Sequence, residues 1–138
     1  MGALGANAYR SRPRTTEDID FLVGHEAFER HPGGFVTMRV PVVEFDGIAI
    51  DQVPLTEGLC VLEEGLNRAV VSDGVPIAAL DTIVVMKLLA GRTQDLADVE
   101  AIIASGADRV TLRTAVEATI PDRVEMLERL FGNVDRAR

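Results

Sequence analysis

The chain has 138 residues, of which 47% are hydrophobic and 26% charged, a composition typical of one soluble globular domain. The formal net charge of −8 argues against a domain that holds nucleic acid by bulk electrostatics. No apolar run approaches the ~20 residues of a membrane helix, and no secretion signal is expected. Cys60 is the single cysteine, which excludes an internal disulfide and fits a reducing cytoplasm.

The first half of the chain is predicted to be rich in strands. A small, Gly-rich segment over residues 2–9 is predicted to form a turn that enters a short helix, and a loop follows to residue 16. Strand patterns cover residues 18–23, 35–43 and 47–55, and Asp46-Gly47 is a hairpin signal. Short helical segments are predicted over 25–30 and 56–69, and one or two short strands adjoin the Asp73-Gly74 turn.

The second half of the chain is predicted to be helical, because apolar residues recur with a period of 3.6 from Leu80 onward. Asp81 or Thr82 is expected to cap a helix that ends near Ala90. Three more helices are predicted over residues 93–104, 108–119 and 121–131. Strands followed by a helical half indicate the α+β class.

The start of the first predicted strand carries a pair of carboxylates. Asp18 and Asp20 lie two residues apart, so a strand projects both from one face, while Ile19, Phe21 and Val23 point the other way into a core. Because neighbouring carboxylates repel each other, a divalent cation is the expected partner. The pair therefore predicts metal-assisted phosphoryl or nucleotidyl transfer.

Two other groups of residues are candidates to join this pair. Asp51 lies late in the third predicted strand, which would bring it beside the pair if that strand formed a hairpin with the first; an exposed strand end is the alternative. Lys87, Arg92, Asp95 and Asp98 span two helices, with both acids on one helix face. The alternative for them is an Arg92–Asp95 or Arg92–Asp98 ion pair on a solvated surface, which stabilises little.

The N-terminal segment is basic. Arg10, Arg12 and Arg14 precede the acidic strand region, an arrangement that suits a phosphate ligand bridged by metal, with a solvated arm as the alternative. Lys87 is the only lysine, which suggests that its compact ammonium is needed. His25 and His31 are poorly spaced for a zinc site and are predicted to lie on the surface.

Two motifs resemble those of the nucleotidyltransferase superfamily of the DNA polymerase β type. They are RTTEDID at residues 14–20 and KLLAGRTQDLAD at residues 87–98. The similarity is greatest to the minimal nucleotidyltransferase branch related to the AbiEii toxin family, and it covers about residues 2–104. Such a resemblance implies a small mixed or antiparallel sheet of the nucleotidyltransferase fold, followed by a C-terminal helical segment.

The resemblance also implies how the chain is organised. Residues 1–138 would form a single domain, with a sheet-rich core carrying the catalytic carboxylates over 1–79 and a helical part over 80–138. Family members usually have a helix and a strand before the Gly-Ala turn at residues 2–3, and this chain is expected to lack them. Dimerisation would then cover the open strand edge.

The resemblance further implies roles for individual residues. Asp18, Asp20 and Asp51 would hold Mg²⁺ or Mn²⁺, and Asp51 would also act as a base toward an acceptor hydroxyl. Lys87 would join these carboxylates as a catalytic residue that reaches phosphate or the acceptor. The remaining residues are implied to form the nucleotide-binding part of the site; they are Gly2, Ala3, Arg14, Thr16, Arg92 and Asp95. Asp95 would orient Lys87 or Arg92, and a structural ion pair with a nearby acid is the alternative for Arg14.

The implied activity is the transfer of a nucleoside monophosphate from an NTP to an acceptor in the cytoplasm. The acceptor would be an RNA such as a tRNA end, a protein or a small molecule. The resemblance suggests the toxin of a toxin–antitoxin or phage-defence pair, with a cognate antitoxin as partner. The alternatives are a catalytically degenerate domain of the same fold that binds a nucleotide or a partner, and an unrelated α+β protein.

Overall fold

The computed structural model describes residues 2–16, 18–23, 43–45, 48–54, 64–65, 67–72 and 74–137. Side chains are described in these ranges except at residues 18, 22, 23 and 43–54. The described fold is α+β, with its strands before Leu80 and its longer helices after it, as the patterning predicts. The predictions for residues 24–42 and 55–63, which include His25, His31 and Cys60, lie outside the described residues.

Three strands form a mixed sheet in the order β1–β3–β2. β2 and β3 pair antiparallel across the predicted Asp46-Gly47 turn, whereas β1 and β3 pair parallel. The prediction that the third strand forms a hairpin with the first is therefore wrong, because β3 runs parallel to β1 and its antiparallel partner is β2. β2 also continues past the predicted end at Val43. The strand bounds are Asp18–Val23 for β1, Val43–Phe45 for β2 and Ile48–Pro54 for β3.

A second, two-stranded sheet precedes the helical half. β4 covers Val70–Ser72 and β5 covers Val75–Ile77, and the two strands pair antiparallel. Gly74 in their connection has φ +80°, a backbone conformation that glycine adopts without strain. The Tyr9 hydroxyl donates a 3.0 Å hydrogen bond to the carbonyl oxygen of Ala78, which ties the end of β5 to the N-terminal segment.

One short helix lies at the N-terminus and four longer ones follow β5. Gly91, at φ 64°, ends the first of these four, and the Asp108 side chain caps the third. The helix bounds are Gly2–Asn7 for α1, Leu80–Ala90 for α2, Thr93–Ala104 for α3, Arg109–Thr119 for α4 and Val124–Arg136 for α5, with a single 3₁₀ turn at Pro121–Arg123.

Two predicted helix ends differ from the structure. α2 begins at Leu80 with Ala79 as its cap residue, so neither Asp81 nor Thr82 caps it; Leu80 already packs against the helical core. α5 continues past the predicted end at Phe131, because Val134, one turn later, is also buried. In both cases tertiary packing extends the helix beyond its local signals.

The hydrophobic core lies between the helices of the C-terminal half. Apolar residues of α4 and α5, spaced with the predicted helical period, are buried there at Leu112, Val116, Leu127 and Phe131. Phe21, in contrast, is 42% exposed, so the prediction that it enters a core is wrong. Its strand borders an open cavity, described below, and the helical core forms elsewhere.

Two glycines allow close packing against α2. A Cβ on Gly5 of α1 would lie 3.0 Å from the Ile83 Cδ1 atom, and a Cβ on Gly65 would lie 2.6 Å from the Thr82 Oγ1 atom. Residues 64, 65 and 67 are helical, within the helix predicted over residues 56–69, whereas Arg68 and Ala69 are not. Side chains larger than hydrogen at Gly5 and Gly65 would push α2 away.

The Gly65→Ala variant should lower the free energy of unfolding by about 1–3 kcal/mol, because overpacking displaces Thr82. Gly132→Ala is the matched control, since its Cβ would meet only the Arg136 guanidinium at 3.4 Å. Gly132 lies inside α5, where alanine is favoured by about 0.5–1 kcal/mol, so this variant should stabilise the protein. Urea unfolding measures both effects, and effects of the same sign would contradict the packing described here.

Candidate functional site

Three acidic residues lie on the two parallel strands of the mixed sheet. The register sets Asp20 of β1 opposite Asp51 of β3, and Asp18 is two residues from Asp20 on the same strand. Paired residues of neighbouring strands share a face of the sheet, as do residues two apart on one strand. Asp18, Asp20 and Asp51 therefore lie on one sheet face, although the side chains of Asp18 and Asp51 lie outside the described part.

The carboxylate of Asp20 lies against the start of α1. A Cβ built on Gly2 would be 1.5 Å from the Asp20 Oδ2 atom, and Gly2 has φ +30°. Only glycine fits this close approach and this backbone conformation without displacing the carboxylate. Gly2 thus adjoins Asp20, and the next residue, Ala3, is buried within α1.

A buried ion-pair cluster lies between the N-terminal segment and helices α2 and α3. Asp98 is fully buried, and three cations surround it. The Arg14 side chain donates to both Asp98 oxygens at 2.9 and 3.0 Å, Arg10 donates at 2.6 Å, and the Lys87 ammonium lies 2.8 Å away. Charge-assisted pairs of this kind are the strong hydrogen bonds of proteins.

The second carboxylate of the cluster is Asp95, which is 4% exposed. It accepts a 3.0 Å hydrogen bond from Lys87 and a 2.6 Å hydrogen bond from Arg92, whose side chain is 78% exposed. The Arg92–Asp95 ion pair that was the alternative does form, but Asp95 and Asp98 are buried, so the expectation that these acids lie on a solvated surface is wrong. The cluster, defined as Arg10, Arg14, Lys87, Arg92, Asp95 and Asp98, contains four cations and two carboxylates.

Burial and hydrogen bonding shift the pKa values of these two carboxylates in opposite directions. Burial alone would raise the pKa of Asp98, but the hydrogen bonds from Arg14 and Lys87 outweigh it and lower the pKa from 3.8 to about 2. Asp95 behaves in the same way: burial opposes ionisation, while Arg92 and Lys87 bring its pKa below the usual value. Both acids are ionised at neutral pH.

The lowered pKa of Asp98 predicts a loss of stability in acid. Because the pKa of Asp98 is lower in the folded than in the unfolded protein, its ionised form stabilises the fold. This stabilisation is complete above the unfolded pKa of 3.8 and is lost as the pH falls toward about 2. The contribution is on the order of 2 kcal/mol. Urea unfolding between pH 5 and pH 2 should show a smaller decrease in Arg14→Gln than in the parent protein. Equal decreases in the free energy of unfolding of the two proteins would contradict the conclusion that protonation of Asp98 causes the loss of stability.

The cluster fixes the loop that enters β1. Asn7 at the end of α1 accepts a 3.0 Å hydrogen bond from the Arg14 backbone N–H and donates a 2.7 Å bond to the Arg14 carbonyl oxygen. The Arg14 side chain then binds Asp98 of α3. Because Arg14 is only four residues before Asp18, these contacts hold the start of the acidic strand relative to the helices.

The predicted nucleotide-binding residues lie in two places. Gly2 adjoins Asp20 and Ala3 is buried in α1, whereas Arg14, Arg92 and Asp95 belong to the ion-pair cluster. Thr16 is half-buried in the extended segment before β1. Lys87, predicted to reach phosphate or the acceptor, is 6% exposed, and its ammonium lies between Asp95 and Asp98.

An open cavity of about 310 Å³ lies between β1, α1 and the β4–β5 sheet. Its described lining is apolar except for Asp20, which connects the cavity to the acidic residues. Sequence patterns did not predict it, because the lining comes from four separate segments. The described lining residues are Leu4, Gly5, Ile19, Asp20, Phe21, Gly65, Ala69, Val75, Pro76, Ile77 and Ala78.

Arg10 was another unpredicted member of the site. The sequence shows it as part of a basic segment, for which a solvated arm was the alternative. In the structure the Arg10 side chain is largely buried on Asp98, 88 residues later. The sequence did show that the segment around Arg10 contains no acidic residue, so an ion-pair partner had to come from elsewhere in the chain. It did not show that this partner is Asp98.

No three metal-ligand side chains cluster among the side chains that the structure describes, and two of the three candidate carboxylates are not among them. Each helix of the described ranges is too short or too polar to cross a lipid bilayer. Comparison with protein-family models and with curated proteins gives no match. The chemistry of the site is therefore inferred from its residues and their geometry.

Proposed function

We propose that this chain is a nucleotidyltransferase-like domain of the DNA polymerase β type, which uses a divalent cation to transfer a nucleoside monophosphate from an NTP. The observation that carries this proposal is the parallel register that pairs Asp20 with Asp51, with Asp18 on the same face. Three carboxylates on one sheet face are the hard oxygen donors that Mg²⁺ or Mn²⁺ prefers.

In the proposed reaction Asp18, Asp20 and Asp51 hold the cation, which when bound neutralises charge on the phosphates and the leaving pyrophosphate. Asp51 accepts the proton of the acceptor hydroxyl. The acceptor oxygen forms its bond to the α-phosphorus while the bond to the β-phosphate oxygen breaks, and pyrophosphate leaves. The glycine at position 2 lets backbone and phosphate approach each other closely.

The ion-pair cluster positions the catalytic strand in this proposal. Arg14 links the start of β1 to Asp98, and Lys87 joins Asp98 to Asp95 across α2 and α3. These contacts keep the carboxylates of β1 in place without contacting the reacting atoms. Arg92, the most exposed cation of the cluster, is the member best placed to meet a phosphate from solvent.

A second candidate function is nucleotide or partner binding without turnover. The observation in its favour is Lys87, whose ammonium is enclosed by Asp95 and Asp98. A lysine in that position supports the fold and leaves less charge for a phosphate. The resemblance to toxins makes a cytoplasmic toxin–antitoxin or phage-defence pair the proposed setting for either function, with a second copy of the chain or an antitoxin as the proposed partner.

Incubation with NTPs labelled at the α-phosphate, in Mg²⁺ or Mn²⁺, tests the proposal. Pooled tRNA, the protein itself and small hydroxyl compounds serve as acceptors, and pyrophosphate release is measured in parallel. The transferase predicts label on one acceptor with equimolar pyrophosphate. Nucleotide retained without pyrophosphate supports the second candidate, and neither binding nor release would overturn both.

A further inference from the structure

Most of the exposed large apolar side chains in the described ranges lie around one cavity. Leu4, Phe21 and Val75 line the cavity between β1, α1 and the β4–β5 sheet, and all three are exposed. Val70 and Val71 of β4 are also exposed, and each pairs with a β5 residue that lines the same cavity. We call these five residues and the cavity the apolar face. Single exposed apolar residues are ordinary, but a group of them on one surface marks an interaction site.

Water is a poor occupant of the cavity in this apolar face. The volume of about 310 Å³ has room for about ten water molecules at ~30 Å³ each. An ordered water needs two to four polar partners, and Asp20 is the one polar side chain among the described lining residues. Apolar side chains that enter the cavity and displace this water are therefore favoured by the hydrophobic effect.

The apolar face extends beyond the cavity, which indicates a polypeptide as its occupant. A small molecule in the cavity would cover Leu4, Phe21 and Val75. It would leave Val70 and Val71 in water, because these two residues are not among the described lining. A polypeptide segment is large enough to fill the cavity and to cover the neighbouring strand as well.

The charge of the chain indicates which kind of polypeptide fits. The net charge is −8, and residues 17–64, which include the three strands of the mixed sheet, contain eleven acids and two arginines. Beside the cavity lining, Glu64 is exposed, whereas the Arg68 guanidinium is paired with Asp81 at 2.9 Å. A second copy of the chain and an anionic lipid surface would both bring like charge to this region. A basic polypeptide is attracted to it, and such complementarity speeds association.

We propose, independently of the proposed reaction, that the apolar face binds a basic polypeptide segment of a partner protein. Apolar side chains of the segment fill the cavity and cover β4, while its lysine or arginine side chains face the acidic surroundings. On β1 the apolar contacts come from Ile19 and Phe21, which alternate with Asp20 and so lie on the opposite strand face from the acidic residues. A bound partner is therefore compatible with a cation at those carboxylates.

Selection from a library of short random peptides displayed on phage tests this proposal. The parent protein is the bait, and peptides that also bind the double variant Val71→Thr, Val75→Thr are removed. The recovered peptides should combine large apolar residues with lysine or arginine and contain few acids. Their affinity, measured by fluorescence polarisation, should fall as salt concentration rises.

Single variants locate the binding surface of a recovered peptide. Val71→Thr and Val75→Thr should each raise its Kd by about tenfold, because a hydroxyl buried without a hydrogen-bond partner is unfavourable. Threonine keeps the β-branched shape that suits a strand, so the urea midpoint of both variants should equal that of the parent. Val110→Thr is the matched control, since Val110 on α4 is 74% exposed and Val71 is 69% exposed. It should leave the Kd unchanged.

Four outcomes would be informative. Failure to recover any specific peptide, or recovery of acidic peptides, would overturn the proposal, as would an equal rise in Kd for Val110→Thr. Parent protein that sediments as a dimer, and that Val75→Thr dissociates, would overturn it in favour of a second copy of the chain. Peptide binding that depends on Val71 and Val75, in a protein that releases no pyrophosphate, would overturn the transferase and support the binding surface.

Discussion

Replacing Asp98 with asparagine should lower the free energy of unfolding by about 3–5 kcal/mol, the range for breaking one partner of a buried ion pair. Asp98 is fully buried and meets Arg10, Arg14 and Lys87. Without its negative charge these cations would face one another, and Lys87 would keep Asp95 as its single described acid. Urea unfolding at neutral pH measures the loss.

One exposed pair and the exposed cation of the cluster provide the controls for this variant. Asp135→Asn breaks the pair with Arg109 near the C-terminus, and Arg92→Gln removes the exposed cation of the cluster. Asp135→Asn should cost less than about 1 kcal/mol, because exposed ion pairs are screened by solvent. Arg92→Gln should cost less than Asp98→Asn, because the buried Asp95 keeps its pair with Lys87. A loss in Asp98→Asn as small as in Asp135→Asn would contradict the description of the cluster as the link between the N-terminal segment and the helices.

Asp20→Asn and Asp51→Asn should each reduce the rate of nucleotidyl transfer by more than about 100-fold. Removing a residue that only hydrogen-bonds to a metal ligand already lowers metal affinity or activity by about 10–100-fold, and these two residues are the proposed ligands themselves. Both proteins should remain folded, since the core lies among the helices. Removing one of several adjacent carboxylates also relieves repulsion, so the midpoint of thermal unfolding without metal should not fall. The measurement is the initial rate of pyrophosphate release in saturating Mg²⁺ and NTP.

Asp122→Asn is the control for these two variants. Asp122 is an exposed carboxylate in the 3₁₀ turn before α5, outside both the sheet and the cavity lining. It changes the net charge by the same amount and should leave the rate unchanged. Activity that persists in Asp20→Asn but falls in Asp122→Asn would place the chemistry elsewhere in the chain.

Local sequence signals predicted the elements whose limits are set locally. The bounds of β1 and α3 agree with the structure, because alternation defines the first and a 3.6-residue period with Ser105-Gly106 after it defines the second. The turn at Asp46-Gly47 likewise predicted the hairpin of β2 and β3. Such features require information from only a few neighbouring residues.

Pairings between distant segments could not be predicted in this way. The parallel register of β1 and β3 depends on a long crossover connection, which no local pattern specifies. Asp98 meets Arg10 and Arg14 from 88 and 84 residues away. The helix face shared by Asp95 and Asp98 was clear from their spacing, but whether that face meets solvent or cations depends on which segment packs against it.

The residues of the candidate site also divide into those that local patterns predict and those that depend on distant segments. Strand geometry joined Asp18 to Asp20, whereas Asp51 was added by the family resemblance and by a hairpin with β1 that the structure does not form. Phe21 was assigned to a core by alternation alone, yet it lines the cavity and stays exposed. Alternation separates the two faces of a strand, but it does not say which face is covered.

Anomalous diffraction from crystals grown with Mn²⁺ and a non-hydrolysable NTP analogue tests the central claim most directly. We expect a manganese peak within coordination distance of carboxylate oxygens from Asp18, Asp20 and Asp51, with the phosphates of the analogue on the same ion. A peak that lacks Asp51, or an Asp51 carboxylate on the opposite sheet face from Asp20, would contradict the proposed transferase site.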